Sequence, residues 1–400
     1  MPSGTYATTE RRRAFGPSAE VADRDRPELA AGAELRTGAF CLRPFTEADI
    51  PAVVGLASTV FAHNAWSSPS DCAAHVRDVF FANPWRDDEL PSWVAEDDRG
   101  VSAFYGVVPR RMAFRGREIR VAVSTAFMVH PRARSNLTAL ALAKKLLIGA
   151  QDLTLTDGAT LDACRLWRRL GGAVPPLYNL HWVQARRPAS CALTLLTQRS
   201  RAVRVVSLGI RPLAELADAL WTRARRNGAR REELDLIDRP LSAADVAEHV
   251  AAVAAGQELV PLYDEGAVEW LFERLAMDRR NGTLRARAVS CGKKVVGWFI
   301  YYACPGGIGE VVQVAARDSA HDAVWARLLQ DASRQRVAAL RGRLQPETTE
   351  SMACRRSWLR LGGPHLLVHS RHREITNAIQ RGSAFLSRLE GEWWIRIATG

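Results

Sequence analysis

Apolar and polar positions along this chain alternate in short runs separated by segments of helical period, and one junction between the two stands out. Thr125-Ala126-Phe127-Met128-Val129-His130-Pro131 is an apolar strand that stops where Pro131 offers no N–H to a ladder. Arg132 and Arg134 follow, and Leu137 to Leu147 forms an apolar run of helical period. Upstream, Leu42-Arg43-Pro44-Phe45 reads as a short strand, Thr46 as an N-cap with Asp49 three residues on, and the stretch through Val53 as an amphipathic helix. Downstream, Leu153 to Gly158 reads as a strand and turn. A helix then ends at Leu166-Trp167-Arg168-Arg169-Leu170-Gly171-Gly172, with Gly171 placed for a left-handed C-terminal cap.

A strand that breaks into the first turn of a helix presents unpaired N–H groups and the positive end of the helix dipole. A pyrophosphate suits that place, and Arg132 and Arg134 favour its charge. With "LRPFTEADI", "VHPRAR" and "LWRRLGG" in this order, residues 38 to 190 resemble the GNAT (GCN5-related N-acetyltransferase) superfamily. The resemblance implies an α/β fold with a mixed, mostly antiparallel central sheet flanked by helices. It also implies acetyl-CoA or another acyl-CoA as donor substrate. Phe127, Met128 and Val129 would lie along the thioester, with backbone amides polarising its carbonyl. Arg132, Arg134, Ser135, Asn136, Leu137, Thr138 and Ala139 would hold the pyrophosphate. Three positions depart from the family pattern: Leu137 stands where glycine is usual, no carboxylate lies between Glu118 and Asp152 to act as the usual base, and Trp167 replaces the tyrosine that often serves as acid.

The second half echoes the first. Val295 to Ile300 matches Ser102 to Val107, Trp358 to Gly363 matches Trp167 to Gly172, and the spacing from strand glycine to terminal glycine is 65 residues in both. Glu310 to Ala316 reads as a strand, Ala323 to Ala339 as a helix and Leu340 to Leu344 as another strand. The expected organisation is a leader over 1–38, an N-terminal GNAT unit over 39–195, a connecting segment over 196–240, and a degenerate GNAT-like unit over 241–400. The second loop, Ala316 to Asp322, carries two acids and no glycine-rich grip, so no CoA is expected there. The tandem layout resembles Fem-type peptidoglycan aminoacyltransferases and N-myristoyltransferases.

Composition narrows the classes. Four hundred residues, 47% hydrophobic and 24% charged, suit a globular protein of two domains. No apolar run is long enough to span a bilayer, and residues 1–38 lack the apolar core of a secretion signal, so a cytoplasmic protein is expected. Seven widely spaced cysteines with no CxxC pair indicate neither a zinc site nor a disulfide framework, and no metal is expected. The net charge of +12 raises nucleic acid as a partner, yet the densest basic stretch, Arg223 to Arg231, runs directly into Glu232 and Glu233 without a groove-reading motif. Nucleic acid is therefore disfavoured; acyl-CoA and an unidentified acceptor are the expected partners.

Three residues are candidates for proton transfer. Asp157 ends the strand beside the donor groove, Tyr178 follows the Trp167 helix and could approach the thioester sulfur, and His369 offers an imidazole from the second half. Gln313 could act through water. The adjacent Trp393 and Trp394 are expected on opposite faces of a strand. The function these residues suggest is direct acyl transfer from acyl-CoA to an amine or hydroxyl at the junction of the halves. A catalytically silent binding protein and a tRNA-dependent aminoacyltransferase remain alternatives.

Overall fold

The structure, a computed structural model, describes residues 35–37, 40–61, 68–134, 137–189, 191, 236–353 and 357–395. Strands β1 (Leu35–Thr37), β2 (Phe40–Pro44), β3 (Trp93–Asp97), β4 (Gly100–Phe114), β5 (Arg117–Val129) and β6 (Leu153–Ala159) follow one another across the first sheet. All neighbours are antiparallel except β5 and β6, which helix α3 (Thr138–Leu147) connects in parallel. Helices α1 (Ile50–Val60) and α2 (Pro69–Phe80) join β2 to β3, and α4 (Leu161–Arg169) follows β6. Gly171, at φ 88°, takes the left-handed conformation expected after that helix.

Strand β7 (Leu180–Ala185) then leaves the first sheet. It enters the second, which runs β14 (Trp358–Leu361), β7, β13 (Ala339–Arg343), β12 (Ile308–Ala316), β11 (Lys294–Ala303), β10 (Thr283–Cys291) and β8 (Leu236–Pro240). In return β15 (His365–Ser370), from the second half, pairs with β6 at the edge of the first sheet. β9 (Leu259–Pro261) also pairs with β4. Each sheet therefore holds a terminal strand from the other half of the chain. Only β12 and β13 are parallel in the second sheet, joined through α7 (His321–Arg334), so both halves repeat one crossover.

The order of elements expected for the second half is present, with one difference. Trp358 to Leu361, the echo of a helix end, is strand β14, and all four of its side chains are exposed. The helical match fails because this segment pairs with β7, whereas its first-half counterpart closes over Trp167. The helix expected to reach Ala339 ends at Arg334, where Arg336 turns at φ 57° into β13.

A different repeat is more faithful. Arg43-Pro44-Phe45-Thr46 to Asp49 and Arg239-Pro240-Leu241-Ser242 to Asp245 make the same device at the start of each half. The Asp carboxylate accepts from the Thr46 or Ser242 backbone N–H three residues back, at 2.9 Å in both, closing a capping box. It also takes a two-pronged bond from the strand arginine, at 2.8 Å in the first half and 2.6 Å in the second.

The core is layered. Side chains of α3 and α4, among them Leu142, Leu146 and Trp167, cover one face of the first sheet with Tyr105 and Trp93. Its other face meets α1 and α2 through Phe45, Phe80 and Phe104, whose rings pack edge-on at 4.9–6.0 Å. Each such contact adds about 0.5–1.5 kcal/mol beyond burial. This layer is shared with the second half: Val246 of α5 (Ala243–Val253), Leu271 of α6 (Glu265–Met277), Ile379 of α9 (Arg373–Arg381) and Val312 belong to the same cluster. α7 covers the far face of the second sheet with Trp325 and Leu328; α8 (Thr349–Ala353) follows β13.

The segment after α9 threads between the sheets. Its Arg388 N–H donates to Val312 on β12 at 3.2 Å, and four residues later the Glu392 N–H donates to Asp157 on β6 at 2.7 Å. Trp393 and Trp394 sit in this turn rather than in a strand, and both enter the shared core. Trp393 meets Tyr302 of the second half, while Trp394 meets Trp270 and lies against Arg110 of the first.

Candidate functional site

β5 and β6 pair only from Val121–Leu153 to Val123–Leu155 and separate beyond. The separation follows from a bulge in β5. Thr125 faces Gly106 and Met128 faces Phe104, so Ala126 and Phe127 together oppose Tyr105, with Ala126 at φ 51°. A non-glycine residue held at positive φ inside a strand is costly, on the order of 1–3 kcal/mol, and marks a place where the surrounding packing imposes the shape. Ala126, Phe127 and Val129 are partly accessible along this edge, while Met128 is buried in the shared core.

The strand leads into a short turn, Pro131–Ala133, capped by the His130 Nδ1, which accepts from the Arg132 N–H at 3.2 Å. Ser135 and Asn136 lie outside the described residues. Leu137 is the residue before α3, in the left-handed conformation at φ 56° and 71% exposed. The place where the family usually carries glycine thus has the backbone that glycine adopts freely, here imposed on leucine. The first turn of α3, with Thr138 and Ala139, contains no acid, so its N–H groups and dipole favour an anion. Arg132 is engaged by Asp97 at 3.2 Å; Arg134 is exposed.

Around the opening stand Tyr105, Trp167, Thr125, Thr156 and, from the C-terminal segment, Glu392. The Tyr105 ring lies 4.4 Å from that of Phe127, and its hydroxyl contacts Ser124 at 3.4 Å. Burial holds the Tyr105 phenol well above its ordinary pKa, so it keeps its proton. Glu392 accepts through Oε1 from the Thr156 hydroxyl and from the Gly158 N–H, the latter at 3.0 Å. Its pKa is raised to about 7, chiefly by burial, opposed by the Thr156 bond and reinforced by the charge of Asp157.

The expected catalytic residues lie as follows. Asp157 is the partner of Arg343, Oδ2 to Nη1 2.8 Å, with side chains 1% and 3% exposed. Gly391 passes so close over Asp157 that a Cβ there would overlap its carboxylate. Tyr178 is fully buried, and its hydroxyl bonds to the backbone of Ala384. His369 is partly buried opposite Thr154, within the paired stretch of β6 and so about 13 Å along the strand from Gly158 at 3.3 Å per residue. Gln313 is fully buried and occupied by Trp298, Ser387 and Glu390. Of the proton-transfer candidates, only Asp157 is adjacent to the opening, and its charge is already matched. Glu392 was not singled out in sequence; the "GEWW" stretch showed only tryptophans to be buried.

The corresponding opening in the second sheet is closed. Past the last β12–β13 pair, the Gln345 amide donates to the Val314 carbonyl and accepts from the Val314 N–H, both at 3.0 Å, in the manner of a strand neighbour. Arg388 adds a backbone bond to Val312. A separate cavity of about 580 Å³ lies at the far end of the β4–β5 hairpin, near Trp85 and Arg120. Most of its charges pair among themselves, Arg120 with Asp87, Arg111 with Glu118 and Arg86 with Asp88, but the buried Arg110, which also lines it, lies over the Trp85 ring with its Nε and Nη1 unpartnered among the described residues. Among the described residues no cluster of three or more His, Cys, Asp or Glu side chains could hold a metal, and no helix is long and apolar enough to cross a membrane.

No family model matches the sequence, and no curated protein matches it. Solved structures do. A GCN5-related N-acetyltransferase from Kribbella flavida aligns with a TM-score of 0.51 and 15% identity over 82% of this chain and 70% of its own. One from Anabaena variabilis gives 0.53 and 12% over 82% and 72%. A protein of Enterococcus faecalis described as a probable N-acyltransferase gives 0.54 and 11% over 83% and 72%. The chain has the GNAT fold, built on two mixed sheets flanked by helices.

Proposed function

We propose that this protein transfers an acyl group, acetyl in the simplest case, from acyl-CoA to an amine or hydroxyl acceptor. The observation that supports this most directly is the bulge at Ala126, which ends the β5–β6 ladder and leaves the Phe127–Val129 edge beside the N-terminus of α3. A thioester lying along Phe127, Met128 and Val129 would find backbone N–H groups for its carbonyl. Its pyrophosphate would reach the first turn of α3 at Leu137, Thr138 and Ala139, with Arg134 beside it. Acceleration would come mainly from alignment of two substrates and polarisation of the carbonyl.

The reading assigns one donor site per chain, because Gln345 occupies the second opening. Each half would then serve as a GNAT-like unit, the first binding donor and the second completing the acceptor side, in the compartment that holds acyl-CoA, the cytoplasm. Calorimetric titration with acetyl-CoA tests it. Micromolar binding at one site per chain, abolished by Leu137→Glu, is expected; a folded protein that binds no acyl-CoA would contradict the proposal.

A further inference from the structure

The opening between β5 and β6 has no carboxylate of its own that is free to act. Asp157 is matched by Arg343, and β5 carries no acid beyond Glu118. The C-terminal segment brings one in from 234 residues away. Glu392, on the segment that threads between the sheets, fixes its carboxylate on the Gly158 N–H and the Thr156 hydroxyl, just past the point where the strands part. Both bonds fall on Oε1. The Thr125 hydroxyl is a further hydrogen-bonding neighbour of the carboxylate, and the residue as a whole is only partly buried. A partly accessible carboxylate held by hydrogen bonds at the end of a strand opening is placed to exchange a proton.

Resting on the donor-site reading above, we infer that Glu392 takes the proton from the acceptor nucleophile during acyl transfer. The acceptor nitrogen or oxygen bonds to the acyl carbon, the carbon–sulfur bond breaks, and its electron pair leaves on the CoA sulfur. The proton lost by the nucleophile passes to Glu392 and from there to the sulfur, so the products are the acylated acceptor and free CoA thiol, and the carboxylate is restored. Charged and titratable groups around it are few: Asp157 with its partner Arg343 on the β6 side, and Tyr105 on the β4 side. Burial and the Asp157 charge together bring Glu392 to about 7, where a carboxylate both accepts and returns a proton near neutral pH. The structure thereby supplies from the other end of the chain a group absent from the strand before the loop.

The test uses the full chain, acetyl-CoA, and two acceptors, water and putrescine, with CoA thiol release followed from pH 5.5 to 9. Wild type is expected to release thiol above the uncatalysed rate, rising through about pH 7. Glu392→Gln keeps an oxygen for Thr156 and Gly158, so it folds and binds acetyl-CoA within about threefold of wild type; it loses about 100-fold or more of the rate at pH 8 and the dependence on pH. Glu392→Asp recovers part of the rate together with the pH dependence. A Glu392→Gln enzyme with the wild-type rate and profile overturns the inference and leaves the donor site standing. So does a wild type that binds acetyl-CoA yet releases no thiol to either acceptor. Absence of acetyl-CoA binding in wild type instead overturns the donor-site reading, and this inference with it.

Discussion

Replacing Asp157 by Asn removes one charge from a pair whose side chains are 1% and 3% exposed and separated by 2.8 Å. The amide keeps an oxygen for the Glu392 N–H, bonded at 2.7 Å, so shape and that contact survive. What is lost is the counter-charge of Arg343, a guanidinium left inside the protein with the Ser387 carbonyl as its remaining bond. Breaking one side of a buried pair costs about 3–5 kcal/mol, a large share of the roughly 5–15 kcal/mol that holds a folded protein together. Adding Arg343→Met removes the stranded charge and should return most of the loss, a coupling of about 2–4 kcal/mol. Urea denaturation followed by tryptophan fluorescence reads all four proteins. Since Asp157 also raises the pKa of Glu392, the single variant should shift the rise in thiol release to lower pH. If Asp157→Asn costs less than about 1 kcal/mol, or the double variant is no more stable than the single, the pair is not the structural bond between the halves described here, and Asp157 returns as a candidate base.

Leu137→Gly relieves a left-handed leucine at φ 56°; the gain of about 1–2 kcal/mol, less about 0.5–1 for the looser unfolded chain, should leave the protein up to about 1 kcal/mol more stable in urea, with acetyl-CoA binding at least as tight. Gln345→Ala strands the N–H and carbonyl of Val314, costing about 2–4 kcal/mol in the same assay, while calorimetry should still count one acetyl-CoA per chain. Glu392 gives a pH dependence with a definite sign. Its folded pKa, about 7, lies above the ordinary 4.5, so the stability it contributes is complete below 4.5 and lost as pH rises through 7. Glu392→Gln should therefore gain on wild type by about 2 kcal/mol between pH 4.5 and 8, the value reduced for partial exposure; a constant difference across that range would show the group to be unperturbed.

Local patterns carried the first half of the fold. The apolar run to Val129, the stop at Pro131 and the helix to Leu147 appear within a residue or two of their expected places because each rests on neighbours in sequence. Strand exchange was not legible, since nothing local tells β7 or β15 which sheet edge it will meet. The echo of Trp167 to Gly172 in Trp358 to Gly363 misled for the same reason: similar residues became a buried helix end in one place and an exposed edge strand in the other. A better signal was present in Arg43-Pro44 to Asp49 and Arg239-Pro240 to Asp245, where a charged pair at fixed spacing marks the start of each half. At the site, Leu137 was recognisable from the motif it interrupts. Tyr178 looked like an acid because only its position after a helix was visible, whereas its full burial against Ala384 depends on a segment 206 residues on. Glu392 escaped notice because its environment is assembled from β6 and the far end of the chain.

The most direct test is a crystal structure of the protein with acetyl-CoA bound. The account predicts the pantetheine between β5 and β6, its thioester carbonyl on the Phe127–Val129 backbone, the pyrophosphate at the first turn of α3, and Glu392 beside the acyl carbon, with the opening next to Gln345 empty. Acetyl-CoA in the second opening, or anywhere else on the molecule with the β5–β6 edge bare, would contradict it.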